Sequence, residues 1–205
     1  VGWGTTLEKI AHLMEINNKK DIKVIPLIGG YGRLSDDKHS NNIAQIIAKK
    51  FGGTSYLVNI PASFDTKEIK ESIERDSVTK GILRLTKKVD VAILCMGDMS
   101  TKCSFYQTGQ LSQEDLDYLA NLGVIGDINY IFVDKDGNII TNEISERTIN
   151  LYPLDLMNTT KYVIGIAITH RKARILHAAL KGSMINVLMT DVEAANEIKR
   201  LNDFN

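Results

Sequence analysis

Four short runs of apolar residues, rich in Ile and Val, recur along the chain without a polar residue at every second position. They cover residues 23–27, 89–96, 163–168 and 185–189. Short continuous apolar runs bounded by turn residues are typical of strands that are buried on both faces of a sheet. The sequence therefore predicts four buried β-strands.

Segments with helical periodicity lie between these runs. Apolar residues spaced three and four apart share one face in four groups: Leu7, Ile10, Ala11 and Met14; Ile43, Ile46, Ile47 and Ala48; Ile69, Ile73 and Val78; Leu116, Leu119 and Leu122. Two further helices are predicted over 173–180, ending at Gly182, and over 192–201, where Thr190 or Asp191 caps the first turn. Alternating strands and helices predict an α/β fold with a mainly parallel sheet flanked by helices.

The segment from Tyr130 onwards breaks this alternation. Residues 130–133 and 139–141 have the composition of strands, and residues 134–138 between them include Asp136-Gly137, a pair that favours positive-φ turn positions. We interpret the segment as a β-hairpin insert. No internal repeat and no linker interrupts the chain, so the sequence predicts one domain over residues 1–205.

Composition and charge exclude several classes of protein. The 205 residues carry 25 basic and 25 acidic side chains, and the dedicated basic face of a nucleic-acid-binding module is missing from that balance. Hydrophobic residues make up 43%, enough for a core, while the apolar runs are far shorter than the ~20 residues of a membrane-spanning helix.

The ends of the chain and its cysteines bear on its setting. Cys95 and Cys103 show no disulfide framework spacing, and no leader-like segment opens the chain, so we expect a cytoplasmic protein with reduced thiols. The chain begins at Val1 without Met, and we expect it to be part of a longer protein.

Glycine-rich segments precede two of the predicted helices. Gly2-Trp3-Gly4-Thr5-Thr6 comes directly before the first helix, and Gly29-Gly30-Tyr31-Gly32 follows the first strand. Glycines let backbone N–H groups approach an anion, and a helix N-terminus adds a partial positive charge, so the first segment is a candidate phosphate site. The alternative is a tight turn with a threonine cap.

Small and acidic residues mark two further predicted loops. Gly97-Asp98 ends a predicted strand, and Gly126-Asp127 ends the helical stretch before it. Because ligands of open parallel sheets gather at the carboxyl ends of strands, we expect these corners and the glycine loops to share one edge.

Three charged residues are candidates for ligand contacts. Lys172 is either a phosphate or hydroxyl ligand or a solvated lysine, and Asp127 either accepts hydrogen bonds from a polyol or caps a turn. Arg147 is either directed to an anion or part of a surface ion pair. The four histidines and two cysteines show no metal-site spacing, so we expect no metal, no cofactor and no catalytic residue.

Taken in order, several segments resemble the effector-binding domain of the SorC family of bacterial sugar-responsive transcriptional regulators. The resemblance rests on Gly2-Trp3-Gly4-Thr5-Thr6, Gly29-Gly30, Gly126-Asp127-Ile128, the stretch 132–137, Arg147-Thr148-Ile149, Lys172-Ala173 and Thr190-Asp191. It implies a fold similar to the group of glucosamine-phosphate isomerase, ribose-phosphate isomerase and CoA-transferase. It also implies a helix-turn-helix segment upstream of this chain, which would bind operator DNA.

The resemblance assigns roles to individual positions. Gly4, Thr5 and Thr6 match the phosphate-binding turn of the family, and Gly29 and Gly30 match its second ligand loop. Asp127 matches a residue that faces sugar hydroxyls, and Lys172 matches a lysine that faces the ligand. Gly97 and Arg147 complete the set of nine predicted ligand residues.

Two positions depart from the family pattern. The residue before the diglycine, basic in relatives that contact phosphate or an aldehyde there, is Ile28. The pair before His170, typically Gly-Gly, is Ile168-Thr169. Both departures bear on how closely a phosphate can be held.

These observations together predict a sensor for a phosphorylated sugar that changes the DNA affinity of an attached reader. We expect the domain to self-associate as a dimer or tetramer, because such regulators bind symmetric operators. One alternative is a sugar-phosphate isomerase or deaminase on the same fold, with Asp98 or Asp127 as general base. The other is an oligomerisation module without a small ligand.

Overall fold

A mixed five-stranded sheet forms the centre of the protein. The computed structural model describes residues 1–17, 21–30, 39–150 and 153–203. The strand order is β5-β4-β3-β6-β7, with strands β3 (Val91–Asp98), β4 (Gly126–Ile128), β5 (Ile131–Val133), β6 (Tyr162–Ile166) and β7 (Val187–Met189). A separate parallel pair consists of β1 (Lys23–Val24) and β2 (Thr54–Ser55).

Only part of the central sheet is parallel. β3, β6 and β7 pair in parallel, with Leu94 opposite Gly165, whereas β4 and β5 run antiparallel to their neighbours. The four predicted strands are confirmed with shifted ends. The prediction of a mainly parallel sheet is correct for β3, β6 and β7. It is wrong for the other side of β3, where β4 pairs antiparallel with β3 and forms a tight hairpin with β5.

The first two residues connect the two sheets. The Val1 amine donates to the Ile25 carbonyl oxygen at 2.7 Å, and the Leu27 N–H donates to the Val1 carbonyl oxygen at 2.7 Å. On the other side, the Gly2 N–H donates to the Ile93 carbonyl oxygen at 2.8 Å. The segment that leads into Gly4 therefore lies between β3 and the continuation of β1.

Helices cover both faces of β3, as predicted. Ala92, Leu94 and Met96 belong to the core cluster that includes the late helices, while Ile93 and Cys95 pack against the cluster of the first two helices. The described helices are α1 (Thr5–Leu13), α2 (Ser40–Phe51), α3 (Lys67–Arg75), α4 (Ser77–Thr86), α5 (Ser104–Gln107), α6 (Gln113–Asn121), α7 (Glu143–Glu146), α8 (Pro153–Thr159), α9 (Ala173–Lys181) and α10 (Val192–Asp203). None of them is long and apolar enough to cross a membrane.

The single helix predicted from Ile69, Ile73 and Val78 is wrong, because two helices meet at Asp76. The backbone of Asp76 is extended, which ends α3, and its side chain accepts hydrogen bonds from the Val78 and Thr79 N–H groups to begin α4. A carboxylate at an N-cap satisfies first-turn donors that the helix leaves free. The helical spacing of apolar residues continues from α3 into α4, so the sequence pattern gave no sign of the break.

The hairpin lies earlier in the chain than predicted. Asn129 and Tyr130, with φ values of 52° and 71°, form the turn between β4 and β5, as in the primed turns that suit the twist of a hairpin. The predicted turn at 134–138 exists with Gly137 at φ 82°, but Ile139 contributes only an isolated bridge to Val133. Gly126-Asp127, predicted as a loop corner, lies within β4.

Candidate functional site

A cavity of about 220 Å³ opens at the carboxyl end of β3. It lies between the N-terminus of α1, the hairpin of β4 and β5, and the turn before α9. Its lining residues are Trp3, Gly4, Thr5, Thr6, Cys95, Met96, Gly97, Lys102, Cys103, Ser104, Phe105, Asp127, Ile166, Arg171 and Lys172. Six of the nine predicted ligand residues therefore share one cavity.

The N-terminus of α1 forms one wall. Gly4 is its N-cap residue, with φ 108°, a conformation that glycine adopts without strain, and no side chain caps the helix. The threonine-capped turn, our alternative for this segment, is therefore wrong. Thr5 and Thr6 lie in the first turn and line the cavity, where backbone N–H groups and the helix dipole favour an anion.

Aromatic rings form the base of the cavity. The rings of Trp3 and Phe105 lie 5.0 Å apart, and Phe105 meets Tyr130 edge-on at 4.2 Å. All three side chains are buried. This packing supports the loop before α1 at the inner end of the cavity.

Asp127 is a buried carboxylate within the cavity wall. It lies on β4 directly opposite Gly97, whose lack of a side chain leaves room for the carboxylate. Asp127 Oδ2 accepts a hydrogen bond from the Tyr130 N–H at 2.9 Å, while Oδ1 has no hydrogen-bond partner among the described residues. Burial raises the pKa of Asp127 from 3.8 to about 6, against the opposing effects of the Tyr130 N–H and Lys172.

Lys172 brings a cation to the same space. Its Nζ donates to the Met96 carbonyl oxygen at 2.8 Å, which holds the ammonium group over the end of β3. Lys172 ends a 3₁₀ turn over His170–Lys172, and α9 follows it and ends at Gly182, as predicted. The ammonium and the Asp127 carboxyl thus belong to one cavity that can hold both an anion and a hydroxyl-bearing group.

Thr169 begins this turn in an unusual backbone conformation. Its φ is 84° and its ψ is 144°, a region that is nearly confined to glycine. The Thr169 N–H donates to Asp191 Oδ2 at 2.8 Å, and Asp191 Oδ1 accepts from the Ala194 N–H at the start of α10. Asp191 therefore joins the turn that carries Lys172 to the cap of another helix.

Comparison with known proteins identifies the family. The family model described as "Putative sugar-binding domain" matches residues 1–199. The chain belongs to this family of sugar-binding domains. The resemblance to SorC-type regulators is confirmed by the relatives.

Two relatives and two solved structures illustrate the likeness. The deoxyribonucleoside regulator of Bacillus subtilis (strain 168) is 29% identical over 97% of this chain and 63% of its own length, and the sorbitol operon regulator of Klebsiella pneumoniae is 27% identical over 94% and 62%. A DeoR family transcriptional regulator from Listeria monocytogenes matches with a TM-score of 0.87 and 30% identity, over 96% of this chain and 76% of that one. The full-length sorbitol operon regulator SorC of Klebsiella pneumoniae matches with a TM-score of 0.87 and 28% identity, over 96% and 63%. The sugar-binding domain therefore spans less than two thirds of these two curated relatives.

Three predicted ligand residues of the sugar-binding domain do not line the cavity. Gly29 and Gly30 pack their backbone against residues 60–62, with the Gly30 N–H donating to the Ile60 carbonyl oxygen at 2.7 Å. Arg147 donates to the Phe64 carbonyl oxygen at 3.0 Å. Tyr31 and Gly32, which complete the second glycine loop, lie outside the described residues.

Ile28 is a core residue of the sugar-binding domain. It is buried in the cluster that contains the aromatic base of the cavity, and it does not line the cavity itself. A basic residue there would have to leave the core to reach a ligand. An apolar residue at position 28, in place of the basic residue of the family pattern, is therefore consistent with the burial of this side chain.

Two cations that the sequence analysis did not single out line the cavity. Arg171 pairs with Asp98, with Nε 3.0 Å from Oδ2, and Lys102 lies on the loop after β3. The signal that could have found Arg171 is its place between His170 and Lys172 after a buried strand. Sequence spacing alone did not show that Arg171, as well as its neighbour Lys172, would line the cavity.

Cys95 and Cys103 line the cavity as neutral thiols. Burial raises the pKa of Cys95 to about 11 and also raises the pKa of Cys103, so both thiols are neutral near pH 7. Within the described part of the chain, no group of three His, Cys, Asp or Glu residues could hold a metal ion.

Proposed function

We propose that the sugar-binding domain binds a phosphorylated sugar in the cavity at the end of β3. The observation that carries this proposal is the position of Asp127 in the same cavity as Lys172 and the N-terminus of α1. Asp127 Oδ1, which has no hydrogen-bond partner among the described residues, offers an acceptor for a ligand hydroxyl. Lys172 and the N-terminus of α1 attract an anion. A ligand with a phosphate at one end and hydroxyls at the other suits both.

The size of the cavity also supports a small ligand. Sites for drug-sized ligands enclose about 300–1,000 Å³, and this cavity encloses about 220 Å³. In our proposal, backbone N–H groups of Gly4, Thr5 and Thr6 and the Lys172 ammonium hold the phosphate, Gly97 permits close approach, and Asp127 accepts from a sugar hydroxyl. Contacts from Gly29, Gly30 and Arg147 stay a prediction.

The ligand would act by shifting a population of two arrangements. Relatives of this chain are named as regulators of a sorbitol operon and of deoxyribonucleosides, so we propose a regulator whose DNA-reading segment precedes Val1. A ligand changes operator affinity only through its different affinity for the two arrangements, typically by about 1–3 kcal/mol. Self-association as a dimer or tetramer and a place in the cytoplasm belong to the same proposal.

The enzyme alternative has less support. The fold likeness to the isomerase and CoA-transferase group stays a prediction, and the relatives are named as regulators. Among the candidate bases, Asp98 is already paired with Arg171. Asp98 also accepts a hydrogen bond from the Ser100 hydroxyl, and Asp127 accepts one from the Tyr130 N–H.

Thermal unfolding with paired ligands tests the proposal. A panel of sugar phosphates should include one that stabilises the domain by about 2.7 kcal/mol at 100 times its Kd, while its unphosphorylated parent stabilises far less. Lys172→Met should remove most of this difference, and Lys199→Met, a change outside the cavity, should retain it. Equal stabilisation by the phosphorylated and unphosphorylated forms would rule out the phosphate assignment.

A further inference from the structure

Arg171 lies at the rim of the cavity, where its guanidinium forms an ion pair with Asp98. Its side chain is 41% exposed, and its Nε is 3.0 Å from Asp98 Oδ2. Arg171 Nη1 also donates to the Ser100 hydroxyl oxygen at 3.5 Å, at the limit of a hydrogen bond. Because a guanidinium group carries five N–H donors, this pairing leaves donors available on the terminal nitrogens.

Asp98 is itself fixed in place. It ends β3 directly after Gly97, and its side chain is only 11% exposed. The Ser100 hydroxyl donates to Asp98 Oδ1. The contact between Arg171 Nε and Asp98 Oδ2 is an ion pair without a hydrogen bond among the described residues, and the Ser100 hydroxyl links the two side chains by accepting from Arg171 and donating to Asp98. The ion pair and this link keep the guanidinium at the rim, so that Arg171 loses less freedom when its other edge meets a ligand.

We propose that Arg171 contacts the anionic group of the ligand and that Asp98 is the positioning residue that holds Arg171 at the rim. This inference rests on the proposed function, because it assumes that the cavity takes an anion. It assigns the forked recognition of a phosphate to Arg171, while Lys172 supplies a point charge deeper in the site. The pair would therefore contribute to the selection of phosphates over singly charged or neutral ligands.

Inorganic phosphate is a suitable probe, titrated by calorimetry at constant ionic strength. Arg171→Gln should weaken phosphate binding about tenfold, the loss expected for a charge-assisted hydrogen bond. Arg174→Gln is the matched control, because Arg174 is an exposed arginine three residues further on that does not line the cavity. It should change the Kd less than about twofold. Equal effects of the two variants would overturn the contact by Arg171.

Asp98→Asn separates positioning from simple repulsion. Removal of a carboxylate near a bound anion should strengthen binding if Asp98 acts only through its charge. If Asp98 positions Arg171, the same change should weaken phosphate binding about threefold, and the change should add little to Arg171→Gln in the double variant. Stronger binding by Asp98→Asn would overturn the positioning role.

Arg171→Lys provides a second measurement that keeps the charge. A lysine cannot pair with Asp98 through one edge and offer a fork through the other, so its phosphate affinity should lie near that of Arg171→Gln. Affinity equal to the wild type would contradict the forked contact. If the wild-type domain itself bound no phosphate, the proposed function would fail together with this inference, whereas a binding wild type with an unaffected Arg171→Gln would refute the inference alone.

Discussion

Thr169 carries a side chain where the backbone suits glycine. A β-branched residue at φ 84° and ψ 144° is strained, by about 1–3 kcal/mol, and the Asp191 carboxylate helps to hold it through the Thr169 N–H. The resemblance to the SorC family implies glycine at this position, a residue that adopts such a conformation without strain. The departure therefore affects stability at this turn.

We predict that Thr169→Gly raises the free energy of unfolding by about 1 kcal/mol, because relief of strain exceeds the entropy that glycine adds to the unfolded chain. Thr54→Gly is the control, since Thr54 is an exposed residue of β2 with an extended backbone, and it should destabilise. Urea unfolding of both variants measures the difference. A lower stability of Thr169→Gly would contradict the strain.

Asp127 is a second residue whose environment disfavours its ordinary state. Its pKa of about 6 in the folded protein lies above the ordinary aspartate value of 3.8, so the folded state holds the proton more tightly than the unfolded state. The stability from this group is fully present below about pH 4 and is lost as the pH rises through about 6. The shift corresponds to roughly 3 kcal/mol.

We therefore predict that Asp127→Asn is more stable than the wild type at pH 8 and loses this advantage as the pH falls towards 4. Chemical unfolding at several pH values measures the difference in unfolding free energy between the two proteins. The contributions of the other carboxylates are the same in both and cancel in this difference. The variant should also bind the sugar phosphate more weakly, because an amide is a poorer acceptor than a carboxylate. Parallel stability curves across this range would show that Asp127 titrates normally.

At the scale of elements, Asp191 connects two segments that the sequence separates by about twenty residues. It caps α10 through the Ala194 N–H and holds the turn before α9 through the Thr169 N–H. Lys172 and Arg171 both lie on that turn. The cap of α10 therefore also determines where two cavity cations lie.

We predict that Asp191→Ala destabilises by about 2 kcal/mol, the sum of a helix cap and one hydrogen bond. Asp76→Ala is the matched control, because Asp76 caps α4 alone, and it should cost about 1 kcal/mol. Only Asp191→Ala should weaken phosphate binding as well. Urea unfolding and calorimetry distinguish these results, and equal losses in both variants would contradict the double role.

At the scale of the whole molecule, apolar patterns predicted β1, β3, β6, β7 and most of the long helices, because buried elements carry continuous or periodic apolar positions. They did not predict β2, and β4 was expected to be a loop corner. The patterns missed the break at Asp76, where a cap divides a continuous apolar face, and the hairpin at Asn129 and Tyr130, where two non-glycine residues adopt positive φ. Both depend on local hydrogen bonds: Asp76 caps α4, and the Tyr130 N–H donates to Asp127. Periodicity carries no information about such bonds.

The cavity was predictable only in part for a related reason. Gly4, Asp127 and Lys172 were predicted because the sequence analysis expected them in loops at one edge of the sheet and because the family resemblance assigned them to the ligand, and all three line the cavity. Asp127 does so from within β4 and not from a loop. Arg147 was expected there and lies instead beside Phe64, since its position depends on the path of the long connection after β5. The orientations of the adjacent Arg171 and Lys172 side chains depend on their pairing partners. The ion pair between Arg171 and Asp98 joins residues that are far apart in the sequence, so periodicity could not reveal it.

The aromatic base of the cavity has a practical consequence. Trp3 is the single tryptophan of the 205-residue sequence, and it lies in the cavity wall against Phe105. The tryptophan emission of this 205-residue domain therefore comes entirely from one indole at the base of the cavity. Occupancy of the site can be followed through the intensity and wavelength of that emission, in the wild type and in every variant named above, without an attached dye.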